Sequence, residues 1–295
     1  VPKFQNRKRS RVKYSMDRFW RVFSKGRDFY LFVVGYGLVF GLLGIAALAL
    51  PDLPPGATSG SVWTTEETAP GTTHWFGLTH SGSDWMGSVL HGAGVSVWLA
   101  LLGTMIGVSL GLLVGMLWGF LFQDRGERML SSADRMLSPI PALVVVLALG
   151  AGWGTEFLTV AMMLGLLCAI PLAAKVTGWF GEMNWCGEVV AARAMGWTRG
   201  RLMLDQLCTR VWKQAAALAA MWLPGILSAL TALDFAREVP GRLGGLMSLG
   251  KMHLVEAPWM LFFAGLVFIV IASLLAAFGW AVRRTVGEPL VERRW

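Results

Sequence analysis

Charged side chains are scarce in this chain, 15% of 295 residues against 55% hydrophobic, with a mean hydropathy of +0.56. A soluble domain of this length needs far more surface charge, so the scarcity leaves a polytopic membrane protein as the default. Cysteine is nearly absent. Cys168, Cys186 and Cys208 have neither metal-ligand nor redox spacing, which argues against structural disulfides. Ionisable groups are missing from the middle of every long apolar run, where ion-coupled carriers need them. Glu156, Lys175 and Asp234 stand only near the ends of such runs, so a secondary transporter is disfavoured.

What the chain does have is six apolar, charge-free stretches: 29–50, about 92–122, 136–152, 157–174, 214–233 and 257–282. A helix rises ~1.5 Å per residue and the hydrocarbon core is ~30 Å thick, so about 20 residues make one crossing. The second run is too long for an upright span and should tilt or begin with an interfacial turn. Pro139 and Pro141 predict a kinked start to the third. The first exceeds the ~7–15 residues of a signal-peptide core and reads as a retained anchor, although Ala46-Ala47-Leu48-Ala49 is a passable small-residue site. The 36 glycines and 15 tryptophans suit closely packed helices and rings at headgroup level.

The net charge of +8 is unevenly placed. Ten Lys/Arg residues crowd the first 28 positions, from Lys3 to Arg27. Beside a span this run is a topology signal and an attraction for anionic lipid, and no nucleic-acid fold accompanies it. With six spans both termini share a side. If that side is the cytoplasm, only Arg237, Arg242 and Lys251 of the 26 Lys/Arg fall outside. The outer loop 51–90 then holds no Lys or Arg, but carries Asp52, Glu66, Glu67 and Asp84. The positive-inside rule therefore assigns both termini and the connections 123–138 and 175–213 to the cytoplasm.

The resulting organisation is a basic tail (1–28), a first span (29–50), an irregular Pro/Gly/Ser/Thr-rich outer segment (51–91), a five-helix core (92–282) and a C-terminal tail (283–295). No internal repeat and no second soluble domain is visible.

Several motifs have bland readings. Gly103, Gly107, Gly111, Gly115 and Gly119 make one smooth helical stripe that admits close approach of another helix, within the chain or in a partner. Gly107-Val-Ser109-Leu-Gly111 matches a nucleophile elbow, but it lies mid-helix without a histidine at its depth. Gly245 to Lys251 matches most of a phosphate loop, yet Met252 stands where the magnesium-holding hydroxyl is needed, and no strand precedes it. The chain is therefore expected to hydrolyse no nucleotide itself and to need no cofactor. His74, His80, His91 and His253 fit no compact ligand set, so no metal site is assigned.

The polar connection is more informative. Residues 188–195 are good helix formers, and Gly196 can end that helix in a left-handed conformation. Thr198 can then cap a second helix, in which Leu202, Leu204 and Leu207 alternate with Arg199, Arg201, Asp205 and Arg210. Such a hairpin is either a docking knob or an element lying on the membrane.

This segment resembles the cytoplasmic coupling loop of binding-protein-dependent ABC transporter permeases. More narrowly, it resembles the second permease subunit of dipeptide/oligopeptide/nickel systems, including the Sap-type peptide branch. Val190-Ala191-Ala192-Arg193-Ala194-Met195-Gly196 follows the family's Ala-Ala-Arg-x-x-Gly pattern, with Arg201-Leu202 downstream. His74-Trp75-Phe76-Gly77 with Gly82, Asp84 and Gly92 resembles the segment before the second span, Asp134 through Pro139-Ile140-Pro141 the approach to the third, and Ala257-Pro258-Trp259 the start of the last. The likeness runs from about residue 19 to 285. The chain departs from the pattern at Val190, where an acid is usual, at Cys208-Thr209-Arg210, at Leu78-Thr79, at Ser83 and Ser88, and around Arg242–Met247.

The resemblance implies an all-α integral membrane protein with six transmembrane helices and a cytoplasmic coupling-helix loop at 177–213, like a type I ABC importer permease. It further implies a bacterial inner membrane location, a homologous permease partner, two ATPase subunits below and a periplasmic solute-binding protein above. The cargo would be a peptide-like solute, with nickel or polyamine, or export, as variants, and a stand-alone carrier or channel as another class. ATPase coupling would fall to Glu188, Ala191, Ala192, Arg193, Gly196, Arg199 and Arg201, and the outer segment Trp75 to Asp84 would face the binding protein.

Overall fold

The computed structural model of the protein describes residues 70–72, 75–79, 84–137, 144–145, 148, 156–183, 186–206 and 211–286. The expected first span, most of the outer segment and most of the third span lie outside the described residues. Among the described residues the named helices are α1 (Trp85–Leu137), α2 (Phe157–Met183), α3 (Gly187–Ala194), α4 (Arg199–Gln206), α5 (Trp212–Arg237), α6 (Leu243–Met252) and α7 (Pro258–Val286). Within the described residues there is no strand beyond an isolated bridge between Leu78 and Asp84. Among the described residues four helical segments are long and apolar enough to cross a membrane: Trp85–Phe122, Thr159–Glu182, Trp212–Arg237 and Pro258–Arg283. The described residues are those of a helical, multi-pass membrane protein.

The second span starts earlier than its apolar run suggests, so residues 85–91 belong to the helix rather than to the outer segment. Asp84 is the reason. Its carboxylate accepts the Gly87 N–H at 3.1 Å, and its carbonyl accepts the Ser88 N–H at 3.2 Å, satisfying donors that a helix start leaves open. Trp85 is buried, and its indole N–H donates to the Met260 carbonyl of α7 at 3.1 Å. No interfacial turn breaks the start of the run; its excess length is taken up at the other end. A Cβ on Gly126 would lie 2.9 Å from the Trp118 carbonyl oxygen. Eight residues of straight helix separate such atoms by ~12 Å, so α1 bends sharply just past its span. Ser109 sits mid-helix, donating to the Met105 carbonyl at 2.9 Å, and Gly245 to Lys251 lies in α6. Neither forms the turn its pattern would need.

The glycine stripe is resolved in favour of packing within the chain. A Cβ on Gly103 would meet Leu164 Cβ at 2.9 Å and the Ala161 carbonyl at 3.3 Å. One on Gly107 would meet the Gly165 carbonyl at 2.7 Å, one on Gly111 the Ala169 carbonyl at 3.0 Å, and one on Gly115 the Ala173 carbonyl at 3.0 Å. The partner face on α2 is thus Ala161, Gly165, Ala169 and Ala173, itself a small residue every fourth position. Two such stripes bring the backbones close enough for dispersion along the whole seam. Both sequence numbers rise together along it, so α1 and α2 run parallel. Gly119 is half-buried at the end of the stripe.

α5 and α7 run antiparallel. Pro224 has no N–H to give the Ala220 carbonyl four residues earlier. Gly279 of α7 fills that place, since its Cβ would lie 2.6 Å from the Ala220 oxygen. Small α6 closes one end of the bundle. Its Gly244 packs on Thr231 and Asp234 of α5, and a Cβ on Gly250 would lie 2.7 Å from the Leu261 nitrogen of α7. The Leu243 N–H donates to Ser96 of α1 at 3.1 Å. At the opposite end Phe180 of α2 packs with Val211 and Ala215, where α5 begins. The 186–206 hairpin joins α2 to α5 there.

Candidate functional site

The expected connection 177–213 is shorter in the structure, because α2 continues through Lys175 to Met183. What remains is the α3–α4 hairpin. The Cys186 carbonyl accepts the Val189 and Val190 N–H groups at 3.0 and 3.1 Å to start α3. Glu188 in its first turn and Arg193 in its last complement the helix dipole. Gly196 has φ +82°, the left-handed conformation its sequence position predicts. Its N–H donates to the Arg193 carbonyl at 2.9 Å, and the Trp197 N–H donates to the Ala192 carbonyl at 3.1 Å. This pair of bonds is the Schellman ending, usually accompanied by an apolar contact across it. Here Trp197 supplies that contact, packing with Cys186 against Val189, Ala192 and Leu202. The Thr198 carbonyl then accepts the Leu202 N–H at 3.1 Å and opens α4.

The hairpin therefore has its own small core, and α3 has a second face. Val190 and Met195 are 53% and 71% exposed, and Ala191 and Ala194 between them are exposed too. At ~100° per residue these four form an uncovered apolar strip, flanked by Glu188 on one side and Arg193 on the other.

Of the residues singled out from sequence, Glu188, Ala191, Arg193 and Gly196 lie on the exposed side of the hairpin. Ala192 faces inward, where its small side chain lets Trp197 and Leu202 approach. Arg199 stands in the first turn of α4. The Arg201 guanidinium lies 4.5 Å over the Trp197 ring. In the outer segment Asp84 is committed to capping α1, and Phe76 stacks on Phe263 of α7 at 4.3 Å.

Sequence reasoning missed Trp197, whose signal was a ring directly after the turn glycine with a cation four residues on. It also missed the ion pair between Arg242 and Asp234, 3.1 Å apart with side chains 8% and 0% exposed. The turn between them, with Glu238 left-handed at φ +52° where α5 ends and Gly241 at φ +74°, brings them together. Arg237, Arg242 and Lys251 all belong to the α6 end of the bundle, while Arg193, Arg199, Arg201, Lys213 and Arg283 belong to the hairpin end. No family model and no curated protein matches the chain.

Proposed function

We propose that this chain is the permease subunit of an ATP-binding-cassette transporter of the dipeptide/oligopeptide/nickel type. It would move a peptide-like solute across the bacterial inner membrane on ATP hydrolysed by separate subunits. The observation that carries this reading is the hairpin: a self-cored pair of helices at the cation-rich end of an apolar bundle, with an uncovered apolar strip on α3. An uncovered strip flanked by charges of both signs suits a groove on a soluble partner.

Topology supports the reading. Parallel α1 and α2 require the intervening chain to return across the bilayer, which fits a span at 136–152. With a span at 29–50, six crossings put both termini on the hairpin side, and the cation distribution favours the cytoplasm for that side. A homologous permease would complete the pathway, two ATPase subunits would sit below, and a periplasmic solute-binding protein would deliver cargo from above. Closure of the ATPases would press on α3, and the load would pass to α2 and α5, which pack together at Val176, Phe180, Val211 and Ala215.

Gly196→Val tests this. No atom crowds the position, so the effect comes from forcing a β-branched residue into left-handed backbone, which costs about 1–2 kcal/mol even for simpler side chains. We expect normal membrane insertion, at least tenfold weaker association with the ATPase pair and loss of transport, with Gly196→Ala intermediate. Wild-type ATPase association and transport in Gly196→Val would overturn the docking role.

A further inference from the structure

We infer that Trp197 and Arg201 form a positioning clamp that fixes the angle at which α3 presents its uncovered strip, and that Arg201 does this instead of contacting a partner. The inference rests on the docking reading above only for its purpose; the clamp itself rests on the hairpin geometry.

One face of the Trp197 ring is held by the hairpin core of Val189, Ala192 and Leu202, and its backbone N–H is held by the Ala192 carbonyl at 3.1 Å. The ring is therefore fixed in the turn, against α3 through Val189 and Ala192 and against α4 through Leu202. Arg201 belongs to α4, and its guanidinium lies 4.5 Å from the centre of that ring. The pair adds a second link between the two helices, beside the apolar contact of Leu202 with Val189 and Ala192.

Arg201 has Asp205 four residues on along its own helix, and the indole of Trp197 on the turn side. It sits in the first turn of α4, where the helix dipole disfavours a cation, and no acidic residue shares that turn. At the start of the helix the electron-rich face of the indole favours positive charge, 4.5 Å from the guanidinium. A guanidinium is planar and weakly hydrated, so it lies flat on a ring at less desolvation cost than an ammonium.

This differs from a generic structural role in that charge at 201 and a ring at 197 matter, rather than side-chain volume. The test is amide hydrogen exchange of the full chain in lipid nanodiscs, read on peptides covering 186–206. Arg201→Gln should raise exchange of the Gly196 and Trp197 amides about two- to fivefold, and Trp197→Leu by more, because the bonds they make open when the helices splay. Arg201→Lys and Trp197→Phe should stay within about 1.5-fold of wild type. Wild-type exchange in Arg201→Gln would overturn the clamp, as would equal loss in Arg201→Gln and Arg201→Lys. The same variants are then assayed for ATPase association. Raised exchange with unchanged association keeps the clamp and removes the docking reading; unchanged exchange removes the clamp whatever the ATPase does.

Discussion

Arg242→Ala is expected to destabilise the protein by about 3–5 kcal/mol, the range for removing one partner of a buried ion pair. Asp234 is fully buried where α5 ends, and one carboxylate oxygen accepts the Arg242 guanidinium N–H at 3.1 Å while the other has no hydrogen-bond partner. Without the guanidinium the carboxylate keeps its desolvation cost and loses the compensating charge. The same reasoning predicts that the double variant Asp234→Leu with Arg242→Met is far less damaged, because two apolar groups of similar volume need no partners. Thermal unfolding in nanodiscs of both single variants and the double measures this. A single-variant loss below about 1 kcal/mol, or a double variant as damaged as the worse single, would show that the pair is not electrostatically buried in the protein.

The second large effect lies on the α1–α2 seam. Gly107→Ala is expected to cost about 1–3 kcal/mol, the usual penalty of overpacking, and Gly107→Leu to separate the two helices. The added Cβ would lie 2.7 Å from the Gly165 carbonyl and 2.8 Å from Cys168 Cβ. A carbonyl in a helix cannot rotate away as a side-chain tip can, so the backbones themselves must move. Leu113→Ala on the uncovered face of the same helix, where Leu113 is 58% exposed, should change stability by less than about 0.5 kcal/mol. Cysteine cross-linking of α1 to α2 and midpoint shifts in the purified protein give the readout. Equal tolerance at 107 and 113 would place the stripe away from this seam.

These two sites also mark how far sequence reasoning reaches. The starts of α2, α5 and α7 fall within two residues of the apolar runs that predict them, because helix and hydrocarbon register share a boundary there. The starts and ends that shift do so for local reasons. Asp84 caps α1 a full two turns before Gly92, and α2 continues past Lys175 because a helix does not stop where the apolar stretch stops. Gly196 was legible since a turn between two helical patterns demands a left-handed residue. The stripe from Gly103 to Gly115 was legible as a close-packing face, but its partner was not, because the matching Ala161-Gly165-Ala169-Ala173 face lies far along the chain. Asp234 with Arg242, and Arg201 with Trp197, depend on turn geometry that periodicity does not encode.

The parallel seam has a consequence for biogenesis. The glycine face of α1 has its complement about 60 residues downstream, which at roughly 5–20 residues per second of synthesis is about 3–12 s. During that interval α1 stands in the bilayer, or against the insertion machinery, with a groove that only later chain can fill. An insertase that shields small-residue grooves would therefore act on this protein while α2 is still inside the ribosome.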